Sequence, residues 1–152
     1  MRKTALMALG LSLLAAAAFT QEKKLQRKDL PPAVQKTVQA QSAGATIRSF
    51  STEVEDGKRI FEAQMTINGR SRDISMDRAG NVLEIEDEVT LDALPDTVRR
   101  GLTAQAAGAA LGKIEALSKH GKVVAYETTV SRAGRRHEIQ VGPDGRKLAH
   151  PE

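Results

Sequence analysis

The sequence predicts an α+β fold: two tandem repeats, each a helix packed on one face of a 3–4-stranded antiparallel meander sheet. Three observations carry that prediction. The chain matches itself at an offset of about 64 residues, its apolar spacing changes from helical to alternating within each unit, and glycine-bearing turns recur at matching places. Leu30-Pro31-Pro32-Ala33-Val34 answers Leu94-Pro95-Asp96-Thr97-Val98, Phe61-Glu62 answers Tyr126-Glu127, and Gly69-Arg70 answers Gly134-Arg135. Asp73-Ile74 answers Glu138-Ile139 and Gly80 answers Gly145, so the units are bounded at 28–86 and 92–150.

The segment before them reads as an address. Met1-Arg2-Lys3 is a basic start and the run from Ala5 to Phe19 is apolar, broken only by Gly10 and Ser12. Small residues Ala15 to Ala18 close it before the polar Gln21-Glu22-Lys23-Lys24. The run falls short of the roughly 20 residues a spanning helix needs. Residues 1–20 are therefore expected to be a secretory signal peptide, cleaved after Ala18 or after Thr20, with an uncleaved anchor as the alternative. The remainder is expected to be exported, periplasmic or secreted, and soluble.

Each unit opens with a helix. Leu30, Val34 and Val38 recur at i, i+4 and i+8, and Leu94, Val98 and Leu102 repeat the stripe. Pro31 and Pro95 fall at the first turn, where a missing N–H costs nothing, with Asp29 and Asp92 as candidate caps and Gly44 and Gly108 as candidate stops. Strands are expected at 46–54, 59–67, 70–77 and 81–86. Asn68-Gly69 between two alternating runs is a strong hairpin signal, since both central residues of a type I′ turn need positive φ. Read as a two-residue turn, it pairs Phe61 with Met76, Ala63 with Ile74 and Met65 with Arg72. One face of each sheet then takes the apolar residues and meets the helix. The other face collects Glu62, Gln64 and Asp73 in the first unit, and Glu127, Thr129 and Glu138 in the second. Residues 87–91 read as a link so short that the two sheets adjoin.

Composition removes several functions. The 152 residues carry a net charge of +4 and no cysteine, which excludes disulfides, thiolate metal sites, a cysteine nucleophile and a lipid-bearing cysteine. Loss of Arg2 and Lys3 with the signal lowers +4 to +2. Basic clusters stand at Arg99-Arg100, around Arg132, Arg135 and Arg136, and at Arg146-Lys147, but no aromatics are left over for base stacking, so no nucleic-acid partner is expected. His120, His137 and His150 lack ligand spacing, and His137-Glu138 would point to opposite faces of a strand. No GxSxG elbow accompanies them, and residues 77–81 lack the ligand count of a calcium loop. No catalytic residue, cofactor or metal site is expected.

Two export-addressed helix-plus-meander units, with Leu30-Pro31…Val34…Val38, Phe61-Glu62…Ile74…Gly80-Asn81 and their counterparts Leu94-Pro95…Val98…Leu102, Tyr126-Glu127…Ile139…Asp144-Gly145, resemble the PepSY-like family. They are also similar to the wider architecture of the β-lactamase inhibitory proteins. The resemblance covers about 120 residues and rests on spacing and turns. It implies a small extracytoplasmic module that binds proteins or peptides, with inhibition or regulation of a peptidase proposed for some members. The inhibitory proteins are disulfide-stapled and present aromatics on their sheet; this chain has neither feature, which counts against a direct β-lactamase role.

The expected function is thus a non-enzymatic binding module that engages a protein or peptide of the cell envelope through Glu62, Gln64, Asp73, Glu127, Thr129 and Glu138. The alternative is a small-ligand or ion binder that uses the groove between repeats.

Overall fold

The computed structural model describes residues 22–152, so the expected signal peptide lies outside the described residues. The elements run β1 (Lys23–Leu25), α1 (Pro32–Gln41), β2 (Thr46–Glu55), β3 (Lys58–Ile67), β4 (Arg70–Met76) and β5 (Val82–Val89), then α2 (Asp96–Ala106), β6 (Leu111–Lys119), β7 (Lys122–Arg132) and β8 (Arg135–Val141). A single 3₁₀ turn precedes each α-helix, at Arg27–Asp29 and Leu91–Ala93.

The strands form one eight-stranded sheet in chain order, every neighbouring pair antiparallel. This corrects the expectation of two tandem repeats that each own a 3–4-stranded sheet. The supposed link is strand: Asp87, Glu88 and Val89 pair with Ala116, Glu115 and Ile114. The strand expected to end at residue 86 runs on to Val89, because the alternation of Glu84, Glu86 and Glu88 continues it. Pairing with β6 also occupies backbone donors and acceptors that an open edge on β5 would leave bare. At the other end β1, unforeseen from sequence, extends the sheet by pairing Leu25 with Phe50.

Both helices lie on the same face. Val34 and Val38 of α1 pack with Phe50, Phe61, Ala63, Met65, Ile74 and Met76. Val98 and Leu102 of α2 pack with Ile114, Val130, Ile139 and Val141. Strand β5 joins the clusters, since Ile85 packs on the first and Val89 on the second, four residues apart and hence on one side of the strand. The four helix residues are at most 1% exposed, and burying each contributes roughly 1.5–3 kcal/mol.

The Asn68-Gly69 hairpin has φ of 51° and 80°, and its register pairs Phe61 with Met76, Ala63 with Ile74 and Met65 with Arg72, as the turn chemistry requires. Asp29 and Asp92 do not cap the helices. Each belongs to the preceding 3₁₀ turn, and Asp29 accepts the Gln26 N–H at 2.9 Å. Helix α2 ends at Ala107 in the left-handed region, φ 49°, before Gly108.

Candidate functional site

The sheet face opposite the helices is polar and collects carboxylates on five adjacent strands. By strand alternation Glu62 (β3), Asp73 (β4), Glu84, Glu86 and Glu88 (β5), Glu115 (β6) and Glu127 (β7) all share it. Glu138 of β8, opposite Thr129, extends it to the far edge. Central strand β5 supplies three of these acids, and sequence reasoning assigned it none. The alternation Glu84, Glu86, Glu88 was a usable signal.

The predicted residues fall into two groups. In the first, Ser49 Oγ donates to Gln64 Oε1 at 2.8 Å, and Gln64 Nε2 donates to Glu62 Oε1 at 2.8 Å. Asp73 sits opposite Gln64 on one side and Glu86 on the other. In the second, Gln140 Nε2 donates to Glu127 Oε2 at 2.8 Å and reaches Glu138 Oε1 at 3.4 Å. Glu127 and Thr129 line a cavity of about 470 Å³ with Lys113, Glu115, Ser131 and Arg136. That cavity opens where β6 carries two residues, Gly112 and Lys113, between Leu111 opposite Val130 and Ile114 opposite Thr128. A Cβ on Gly112 would come within 2.8 Å of the Thr129 carbonyl oxygen, so the bulge requires glycine.

The two groups are joined by acids that the sequence reading left out. One carboxylate oxygen from each of Asp73, Glu86 and Glu115 lies within 4.8 Å of the others. These come from β4, β5 and β6, across the seam between the chain's two halves. Lys113 Nζ approaches Glu115 Oε1 at 2.5 Å and donates to Ser71 Oγ at 3.2 Å, placing one cation beside the cluster.

Crowding of like charge at a half-buried surface shows in the proton affinities. Burial, then Glu127, Glu115, Glu84 and Asp73, push the Glu86 carboxyl up to about 8. Burial also raises Glu62, against the Gln64 hydrogen bond that favours its charge. Asp73 is raised by burial despite Lys113, and Glu127 by burial despite Gln140. Glu88 goes the other way: the Ser71 N–H donates to it at 2.9 Å and holds it below the usual range. A set of adjacent carboxylates, among which Glu86 holds its proton near neutrality, can accept cationic side chains or a cation. His120 and His137 stand apart from it, the first in a hairpin turn and the second opposite Val130.

The fold has solved counterparts. A BLIP-like protein from Bacteroides fragilis superposes with a TM-score of 0.60 at 19% identity, over 78% of this chain and 83% of that one. A DUF2874 family protein from Bacteroides ovatus gives 0.63 at 19% identity, over 79% and 86%. A protein from Bacteroides eggerthii, described as periplasmic, gives 0.65 at 16% identity, over 78% and 86%. At such identities the likeness establishes a shared BLIP-like α+β architecture. It does not carry the resemblance to the PepSY-like family, and no family model and no curated protein matches the chain. Among the described residues no helix is long and apolar enough to cross a membrane.

Proposed function

We infer that this chain is an exported, periplasmic, non-enzymatic binding module that takes a protein or peptide partner of the cell envelope on its open sheet face. One observation carries the reading: both helices cover one face, while the other gathers seven carboxylates on β3–β7 at the expense of mutual repulsion. Solubility alone asks for dispersed charge, not for like charges in register across strands, which destabilise a sheet. A partner presenting Lys or Arg along an extended segment relieves that repulsion. The export reading rests on residues 1–20 and on the fold's periplasmic counterpart.

Isothermal titration with a lysine decapeptide at low salt tests this. The wild-type chain should bind it, with affinity falling steeply as salt rises, and Glu62→Gln/Glu86→Gln/Glu127→Gln should weaken it at least tenfold. Equal binding by both proteins, or none by either, overturns the proposal.

The ion-binding alternative is favoured by a separate observation, the approach of Asp73, Glu86 and Glu115 within 4.8 Å. Calcium raising the melting temperature by several degrees, an effect abolished by Asp73→Asn, would place the ion reading first.

A further inference from the structure

The open face is not bare along its whole length. Leu117 and Ala125 are paired across β6 and β7, and alternation turns both away from the helices, toward the carboxylate side. Neither belongs to the clusters under α1 or α2, yet they are 2% and 0% exposed. Something covers them there.

The chain after β8 returns to that side, and Leu148 Cδ2 lies 3.3 Å from where a Cβ on Gly142 would stand. Gly142 N–H donates to the Arg146 carbonyl at 2.8 Å, turning the backbone around, and Lys147 bridges back to Val141. A Cβ on Gly145 would lie 2.1 Å from the Thr97 carbonyl oxygen, so this turn is seated against α2. Half-buried Leu148 follows. The Glu152 N–H then donates to Gln140 Oε1 on β8 at 2.9 Å, while Glu152 Oε2 meets Lys119 Nζ on β6 at 3.2 Å. A residue held at once from β8 and from β6 lies over β7, in the neighbourhood of Ala125. Lys119 also reaches Glu84 at 3.5 Å, which ties this end of the chain to the acidic face.

We propose that residues 147–152 form a displaceable strap that covers an apolar floor at one end of the acidic face and competes there with an amphipathic basic segment of a partner. The competition rests on the binding-face reading; the cover does not. The strap's polar holds are few and exposed, one ion pair, one hydrogen bond from a backbone N–H and one isolated bridge, and its one half-buried apolar side chain is Leu148. Each is weak in water, so the strap can leave while the sheet stays intact. What it uncovers, Leu117 and Ala125 beside Glu86, matches a segment that alternates leucine with lysine.

The test uses the full chain carrying Glu152→Pro, which removes the N–H that donates to Gln140 and the carboxylate that meets Lys119 while leaving Gln140 on Glu127. Nile red, a neutral dye of apolar surface, should fluoresce about threefold more with this variant than with wild type at unchanged circular dichroism. Lys119→Gln, which frees the strap from the other end, serves as a second variant for the dye measurement alone should the first fail to fold, since it also removes a cation from Glu84. Unchanged dye fluorescence overturns the cover. A Leu-Lys alternating decapeptide should bind the released variant at least fivefold tighter, whereas a lysine decapeptide should not gain. Loss of Glu152 removes a negative charge and works against any basic peptide, so the tightening reports the apolar floor. No tightening overturns the competition. Failure of both proteins to bind either peptide overturns the binding-face reading, and the dye result then decides the strap by itself.

Discussion

Glu86 shows how a polar sheet face stores free energy. Its carboxyl, near 4.5 when free in water, is pushed up to about 8 by burial and by four surrounding acids. The native state therefore holds a proton that the unfolded chain has released between pH 4.5 and 8. Linkage gives the sign: the native state binds more protons, so stability falls as pH rises through that window and levels off above it. Glu62, Asp73 and Glu127, all raised, add in the same direction, while Glu88, lowered by Ser71, opposes them at the acid end. Because Glu86 remains partly solvated, screening cuts its share to about 1–2 kcal/mol. Glu86→Gln should accordingly melt about 2–8 °C higher than wild type at pH 9 and about equally at pH 4. Thermal melts followed by circular dichroism across that range decide it; a Glu86→Gln gain that is the same at both ends would show that charge is not the cause.

Between elements, α2 and the turn after β8 come into close backbone contact. A Cβ on Gly101, in the middle of α2, would lie 2.0 Å from the carbonyl oxygen of Gly145, in the turn after β8. Alanine is the better helix former by about 1 kcal/mol, so propensity alone predicts that Gly101→Ala stabilises. The obstructing atom is backbone and cannot rotate away, so overpacking of about 1–3 kcal/mol wins. Gly101→Ala should lower the urea midpoint, while the nearby exposed Thr103→Ala should leave it within the range of an ordinary surface change. A Gly101→Ala midpoint at or above wild type would mean that turn and helix separate freely. Legibility follows the same division. Apolar stripes at i, i+4 and i+8 and the Asn68-Gly69 turn placed helices, hairpin register and face because those signals are local. The end of β5 was misplaced because Glu84, Glu86 and Glu88 are polar on the open face, so the run lacks apolar weight and its pairing with β6 depends on residues about 30 positions away. The approach of Glu86 to Glu115 across the seam was lost with that pairing, and so was the centre of the candidate site.

At the scale of the molecule, the two helix-covered cores share one sheet, and β5 is common property. Ile85 faces the first core and Val89 the second, and five register pairs from Ile85–Ser118 to Val89–Ile114 fasten the halves together. An independent second half would have to expose the β6 edge and strip Val89 from its cluster. Opening that edge would also part β5 from β6, and with it Asp73 and Glu86 from Glu115, so the integrity of the seam and that of the face are one property. The chain should unfold in a single cooperative transition. Val89→Ala, which removes two methyl groups from a half-buried contact, should cost about 1–2 kcal/mol and lower the melting temperature by about 2–8 °C. The decisive readout is site-resolved hydrogen exchange in the variant. Amides of β3, in the half that Val89 does not touch, should lose protection in parallel with those of β7. Loss confined to β6–β8 would show that the second half opens alone, and the acidic face would then be a contact between two folding units instead of a feature of one sheet.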